Sequence, residues 1–263
     1  MLLKKLVNKS YYGCVGYIKD NSSISQLQNY LAYSHTTLKE YKGHIFAFNY
    51  DSFDETLLEL TIKSFFPDAV ILFSSENRGY NFGNADLDNL LVDHCKENNI
   101  EWLCKSAEDI IIQESILDKS IEEADFYYFN GIGYGGMESY NFDYDQIIQN
   151  DFFPQTNFYF INVSKIDYLN NKDYLTETYN YVHSLPEFNG RVWEYIKDWS
   201  CEGFLKECIT RNNLTKYHLV SEGSYRILLD MVKNFRMADP SHKNILIEGV
   251  CHLADPNSQV FEI

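Results

Sequence analysis

Carboxylates recur at the points where the apolar segments of the first half of the chain end. Polar stretches follow four such segments, at residues 19–20, 49–51, 75–77 and 106–109. Each stretch contains at least one Asp or Glu. In an open parallel sheet, ligands bind beyond the carboxyl ends of the strands, so these acids are predicted to line a ligand-binding edge. The alternative is that the polar residues serve only to turn the chain.

Alternating short apolar runs and amphipathic segments would position these acids. Strands are predicted at 11–19, 44–50, 69–74 and 100–106, and helices at 23–41, 54–66 and 84–99. The run AVILFS at 69–74 is continuously apolar, as expected of a strand covered on both faces. Strands that alternate with helices predict an α/β fold with a mostly parallel sheet flanked by helices.

The pattern becomes less regular after residue 109. Residues 110–124 are predicted to be helical, 125–137 to form a strand that runs into a glycine-rich loop, and 157–169 to form a strand and turn. From about residue 173 the pattern predicts mostly helix. No linker or repeat divides the chain, so we predict one domain with an α/β half at 1–130 and a mainly helical half at 131–263.

Composition limits the class of protein. The 263 residues have a formal net charge of −16, which disfavours a duplex DNA or RNA binder because phosphates would be repelled. The apolar runs fall short of the roughly 18–20 residues that span a bilayer, and the start MLLKKLV lacks the features of a signal peptide. We therefore expect a cytoplasmic protein. The six cysteines show no metal-finger spacing, and we expect thiols rather than disulfides.

Three segments together resemble a known family. NYDSFDETL follows the second predicted strand, ENRGYNFGN follows the third, and WLCKSAED ends the fourth. In this order they resemble the family-2 nucleotide-sugar glycosyltransferases of the GT-A fold. That family has an acid after the first strand, D-x-S-x-D-x-T after the second, an N-x-G-rich turn after the third and D-x-D at the fourth. The resemblance covers roughly residues 11–112.

The resemblance implies a nucleotide site at the first three strand ends. Asp20 and Asp51 would lie beside the nucleoside, where carboxylates accept base N–H groups or ribose hydroxyls. Asn77, Arg78 and Gly79 would form the turn that approaches the nucleotide, with glycine permitting close backbone approach. The competing interpretation of Asp51 is a side chain that only stabilises its own turn.

The resemblance also implies a divalent cation, Mn²⁺ or Mg²⁺, at the fourth strand end. Glu108 stands where the family has its second aspartate and Asp109 follows it, whereas Ser106 replaces the first aspartate. Hard cations prefer carboxylate oxygens, so Glu108 and Asp109 are the predicted ligands. The neighbouring Lys105 could pair with a carboxylate or partly substitute for the metal. Alternatively, Glu108 and Asp109 only begin the next helix.

Two further roles follow from the resemblance. A histidine from the C-terminal segment would complete the cation's ligand shell, and His242 and His252 are the candidates. Inverting members of the family use a carboxylate as general base, often in a segment of the form E-D-x-x-L. DWSCEGFLKECITRN, at 198–212, resembles that segment and places Glu202 at the base position. Otherwise Glu202 is an ordinary glutamate on a helix surface.

The resemblance implies a glycosyltransferase. It would move a sugar from a UDP, GDP or similar donor to a hydroxyl of a glycan or small-molecule acceptor, with metal assistance and inversion. The first half would bind the donor and the second half the acceptor. One alternative is a catalytically degenerate module that binds a nucleotide or glycan without turnover. Another is a nucleotidyltransferase, which would require a glycine-rich basic first loop that YIKDNSSISQ does not supply.

Overall fold

The computed structural model describes residues 1–51, 53–74, 78, 80–130, 154–167, 175–176, 180, 184, 201–227, 244–252 and 260–262. None of the helices within these ranges is long and apolar enough to cross a membrane.

Strands and helices alternate through the first half, as the sequence predicted. In chain order they are α1 (Leu3–Val7), β1 (Tyr11–Ile18), α2 (Asn21–Leu38), β2 (Gly43–Tyr50), α3 (Glu55–Phe65), β3 (Val70–Phe73), α4 (Tyr80–Glu97) and β4 (Trp102–Ala107). The predicted helix at 110–124 is wrong. That segment forms a short strand, β5 (Ile110–Ile112), followed by a 3₁₀ turn at Glu114–Asp118.

Strands continue beyond residue 125, most of them in the second half. They are β6 (Phe126–Asn130), β7 (Pro154–Asn162), β8 (Lys216–His218), β9 (Asn244–Ile247), β10 (Val250–His252) and β11 (Val260–Glu262). A second 3₁₀ turn covers Val163–Lys165, and α5 spans Cys201–Arg211. The mainly helical character predicted for this half stays a prediction, because much of the half lies outside the described residues.

Within the described residues, the central sheet has seven strands in the order β3-β2-β1-β4-β7-β6-β8. The pairs β1–β2, β1–β4, β2–β3 and β6–β8 are parallel, whereas β7 runs antiparallel to both of its neighbours. A four-stranded sheet of order β11-β9-β10-β5 lies beside it. The predicted α/β class, with a mostly parallel sheet between helices, is therefore confirmed.

The core occupies both faces of the central sheet. Successive residues of β2 alternate between two apolar clusters, with Phe46 and Phe48 in one and Ile45 and Ala47 in the other, because side chains alternate across a strand. Helices α2 and α3 bury their apolar residues in the first cluster, and α4 and α5 bury theirs in the second. Because β1 pairs in parallel with β2 and β4, the carboxyl ends of these three strands meet at one edge. The start of β7, which is antiparallel to β4, lies at the same edge.

Candidate functional site

Glu108 folds back over the end of β1. Its backbone N–H donates to the carbonyl of Val15 at 3.0 Å, and its Oε1 accepts the backbone N–H of Tyr17 at 3.2 Å. The lack of a side chain at Gly16 makes room for it, since a Cβ atom there would lie 2.8 Å from Glu108 Cδ. The carboxylate is therefore held at the sheet edge by the adjacent strand, and the interpretation that it begins a helix is wrong.

The environment of Glu108 favours its neutral form. Burial raises the pKa of Glu108 to about 7, and the nearby charge of Asp109 acts in the same direction. Hydrogen bonds from backbone N–H groups and the positive charge of Lys105 offset part of this increase. A cation bound at this edge would oppose both main causes, because it would neutralise the charge that burial and Asp109 disfavour.

The two predicted cation ligands adjoin a candidate histidine in the strand register. Glu108 and Asp109 occupy the turn between β4 and β5. His252 of β10 pairs with Ile110, which directly follows Asp109, whereas His242 lies outside the described residues. In the part of the chain that the structure describes, no group of three His, Cys, Asp or Glu side chains forms a ready-made metal site. Two carboxylates fit a hard cation whose remaining ligands come from substrate oxygens and water.

Tyr17 joins the ends of three strands, a role the sequence analysis missed. Its backbone N–H binds Glu108, and its phenol donates a hydrogen bond to the Asp51 carboxylate. This hydrogen bond also raises the pKa of the Tyr17 phenol. The side chain remains 41% exposed. Asp51 and Glu108 thus lie on either side of one accessible tyrosine. The sequence signal would have been a tyrosine at the end of a predicted strand, which many surface tyrosines share.

Asp20 and Asp54 cap helices at this same edge. Asp20 Oδ1 accepts the backbone N–H of Ser22 at 2.8 Å at the start of α2, and hydrogen bonds from Ser22 lower the pKa of Asp20. Asp54 Oδ1 accepts the N–H of Leu57 at 3.0 Å at the start of α3. Its own N–H donates to Asn21 Oδ1 at 2.9 Å, which ties the two helix starts together.

Arg78 lies just before α4 and forms an ion pair with Asp86. Its guanidinium binds both carboxylate oxygens of Asp86, with Nε–Oδ2 at 2.8 Å and Nη2–Oδ1 at 2.5 Å. A third contact joins Nη1 to Thr176 Oγ1 at 3.3 Å. Asn77 and Gly79, the other predicted residues of this turn, lie outside the described residues.

A buried ion pair lies behind the edge. The Lys105 ammonium is 3.3 Å from Asp88 Oδ1, and the two side chains are only 1% and 7% exposed. Lys105 also donates to the carbonyl of Thr156, and the Tyr159 hydroxyl donates to Asp88 Oδ2 at 3.0 Å. Burial raises the pKa of Asp88, and the Lys105 charge offsets part of the increase. Of the two roles suggested for Lys105, pairing with a carboxylate is the one observed.

Glu202 adjoins this ion pair from the first turn of α5. Its Oε1 accepts the Thr156 hydroxyl at 3.2 Å, and its Oε2 lies 3.3 Å from Cys201 Sγ. Thr156 lies two residues before Phe158, which pairs with Ser106 near the end of β4. Glu202 therefore contacts β7 close to the segment that pairs with the end of β4, and its role as a general base stays a prediction.

No protein-family model and no curated protein matches the sequence. Two similar solved structures are both of glycosyltransferases. One is a galactosyltransferase, LgtC, in complex with donor and acceptor sugar analogs; its TM-score is 0.47 at 10% identity, over 92% of this chain and 87% of that one. The other is the apo form of WbbM, a bifunctional glycosyltransferase, with a TM-score of 0.39 at 11% identity.

The WbbM match covers 66% of this chain but only 35% of the WbbM chain. With TM-scores below 0.5, neither likeness bears on the activity of this chain, which is inferred from its own residues.

Proposed function

We propose that this chain is a GT-A-like glycosyltransferase that moves a sugar from a nucleotide-sugar donor, such as a UDP-sugar, to a hydroxyl of a glycan or small-molecule acceptor. The supporting observation is that Tyr17 binds both Asp51 and Glu108 at the carboxyl edge of the parallel strands. One neighbourhood thereby combines a carboxylate for a nucleoside with a carboxylate for a cation. A nucleotide that carries a diphosphate can use both.

The first three strand ends would bind the nucleoside. Asp51, oriented by Tyr17, and Asp20, at the start of α2, would accept ribose hydroxyls or base N–H groups. The turn of Asn77, Arg78 and Gly79 would approach the diphosphate, with the Arg78 guanidinium oriented by Asp86.

Glu108 and Asp109 would hold Mn²⁺ or Mg²⁺, with His252 or His242 as a further ligand. When bound, the cation supplies positive charge that stabilises the departing diphosphate. Lys105 does not supply this charge at the edge, because its ammonium is enclosed by Asp88 and the Thr156 carbonyl.

Glu202 would act as general base in the transfer. Its carboxylate would take the proton of the acceptor hydroxyl as that oxygen bonds to the anomeric carbon. The bond between the anomeric carbon and the phosphate oxygen breaks, and its electron pair leaves with the nucleoside diphosphate. A single displacement of this kind inverts the anomeric configuration, which NMR of the first product formed would identify.

A thermal-shift panel tests the donor and cation roles together. UDP, GDP and their hexose derivatives would be added with Mn²⁺ or with chelator to the wild type, to Glu108→Ala and to a matched control, Glu97→Ala, at an exposed site on α4. A nucleotide at about ten times its Kd adds about 1.4 kcal/mol. We expect one nucleotide class to raise the Tm of the wild type and the control only with Mn²⁺, and not that of Glu108→Ala. If every nucleotide leaves the wild-type Tm unchanged, the proposal is wrong.

One observation favours a binding module without turnover as the second candidate. Ser106, which replaces the first acid of the D-x-D pattern, is buried, and its hydroxyl donates to the carbonyl of Ala107 at 3.1 Å. Its oxygen is therefore directed at the backbone. If this candidate is correct, nucleotide binding persists in Glu108→Ala and no donor is consumed.

A further inference from the structure

Four residues, each from a different element, form one continuous chain of contacts behind the candidate site. Asp88 of α4 pairs with Lys105 of β4, and Lys105 donates to the backbone carbonyl of Thr156 in β7. The Thr156 hydroxyl then donates to Glu202 of α5 at 3.2 Å. Thr156 is the central member, since it contacts Lys105 through its backbone and Glu202 through its side chain.

We infer that Thr156 is a positioning residue that orients the Glu202 carboxylate for proton removal, and that the buried Lys105–Asp88 pair anchors Thr156. This inference rests on the proposed function, because it assigns a second residue to the step in which Glu202 acts as base.

The geometry explains why the Glu202 carboxylate requires a second residue to orient it. Glu202 belongs to the first turn of α5 and is only partly buried, so its side chain has several rotamers open to it. The Thr156 hydroxyl holds Oε1, while Cys201 Sγ lies 3.3 Å from Oε2. A thiol is a weak donor, so the hydroxyl of Thr156 makes the stronger of the two contacts.

The buried Lys105–Asp88 pair explains why Thr156 itself has a fixed position. It lies near the start of β7, before the segment that pairs with β4 at Ser106 and Phe158. A charged donor makes a stronger hydrogen bond than a neutral one, and Lys105 provides it to the Thr156 carbonyl. Asp88 pairs with the ammonium, and the Tyr159 hydroxyl donates to Asp88.

Hydrolysis of the donor, in which water takes the place of the unknown acceptor, provides the test. Release of nucleoside diphosphate from UDP-glucose, UDP-galactose and GDP-mannose would be measured with Mn²⁺ for the wild type, Thr156→Val, Thr156→Ser and Glu202→Gln. Thr210→Val is the matched control, because Thr210 is exposed on α5 and its hydroxyl donates to the carbonyl of Lys206. Thermal unfolding would establish that each variant is folded, and Thr156→Ala would replace Thr156→Val if the latter fails to fold.

Thr156→Val is expected to lower kcat about tenfold and to leave the donor KM within about twofold, because the lost contact acts on the base and not on donor binding. Thr156→Ser should restore kcat to within about twofold of the wild type, as it retains the hydroxyl. A purely structural role would instead affect Thr156→Ser and donor KM as well.

Three results would overturn the inference. They are a wild-type kcat in Thr156→Val, an equal loss in Thr156→Val and Thr156→Ser, and a wild-type kcat in Glu202→Gln. In each case the wild type still consumes a donor, so the proposed function would stand. If the wild type consumes none of the three donors and none of them raises its Tm, the proposed function fails and the inference fails with it.

Discussion

The Glu108 side chain occupies the space that a side chain at Gly16 would need. A Cβ atom at position 16 would lie 2.8 Å from Glu108 Cδ and 2.9 Å from Oε2. Side chains cannot approach this closely, so a larger residue at position 16 would displace the carboxylate. Gly16 therefore allows Glu108 to lie where it does, although it has no side chain to contact a ligand.

Gly16→Ala should displace Glu108 with little effect on the stability of the fold. The two nearest atoms in the way, Glu108 Cδ and Oε2, belong to the end of a flexible side chain, and Glu108 Cβ at 3.1 Å would have to shift only slightly. We therefore expect a Tm within a few degrees of the wild type. Displacing the carboxylate should weaken Mn²⁺ binding roughly 10- to 100-fold, a typical cost of losing the support of a metal ligand. Isothermal titration with Mn²⁺, in the presence of the nucleotide that binds, measures this affinity.

Gly13→Ala is the matched control for this substitution. A Cβ atom there would lie 2.8 Å from Leu103 Cδ1 and 2.9 Å from Leu91 Cδ1 in the closed core, so we expect overpacking to cost about 1–3 kcal/mol. Its Mn²⁺ affinity should be unchanged. Equal losses of affinity in the two variants would show that general distortion, and not displacement of Glu108, is responsible.

The elements of the first half could be predicted because their signals are local. The spacing of Ile24, Leu27 and Leu31 indicated α2, and the continuous run that contains Val70–Phe73 indicated β3. The small sheet could not be predicted in this way. Ile110–Ile112 was interpreted as helix because its strand partner, β10, lies far away in the sequence and periodicity contains no information about such pairing.

The site was predictable only in part, for a similar reason. Asp51, Glu108 and Glu202 stood out as acids at strand ends or in a family motif. Asp88 did not, because in the sequence it is one of several charged residues in α4, and only the packed structure places it beside Lys105. Long-range pairing of this kind leaves no periodic signal along the chain.

The free energy of unfolding should depend on pH through Glu108. Because its pKa is about 7 in the folded protein and near 4.5 when unfolded, the folded state holds the proton more tightly between these values. Stability from this group is thus fully present below pH 4.5 and is lost as pH rises to 7. In urea unfolding with chelator, the wild type should gain about 2 kcal/mol of stability relative to Glu108→Gln when the pH is lowered from 7.5 to 5.

Glu108→Gln is the control for this pH dependence, because glutamine does not titrate. The lowered pKa values of Asp20, Asp125 and Glu248 affect stability at lower pH, outside this window. Asp88 has a raised pKa and contributes in the same direction as Glu108. Burial lowers the pKa of His218 to about 4 and also lowers the pKa of His44, which acts in the opposite direction. These contributions are common to the two proteins and cancel in the comparison. An identical slope in the two proteins would contradict the assignment to Glu108.

Removing one member of the buried ion pair should cost far more than removing a surface charge. Lys105→Met leaves Asp88 buried without its cation, and we expect a loss of about 3–5 kcal/mol in the free energy of unfolding. Adding Asp88→Asn should recover much of this loss. Lys63→Met is the control, since Lys63 forms an exposed pair with Glu59 worth about 0.5 kcal/mol or less. Similar losses in urea unfolding for Lys105→Met and Lys63→Met would disprove the prediction.

Substitutions at Asp20 can separate helix capping from nucleotide binding. Serine is as good a cap as aspartate, so Asp20→Ser should retain the stability of the wild type, whereas Asp20→Ala should lose about 1 kcal/mol. If the carboxylate also binds the nucleoside, both variants should lose nucleotide affinity by roughly tenfold or more, as expected for a hydrogen bond to a charged group. Urea unfolding measures stability, and calorimetry with UDP and GDP measures affinity.

Asp54 offers the comparison, because it caps α3 in the same way that Asp20 caps α2. Asp54→Ser and Asp54→Ala should reproduce the two stability values but leave nucleotide affinity at the wild-type level. Wild-type affinity in Asp20→Ser would reduce Asp20 to a helix cap and would leave Asp51 as the acid that selects the nucleoside. Reduced affinity in Asp20→Ser alone among the serine variants would assign both tasks to one carboxylate, with Ser22 holding it in the orientation that each task needs.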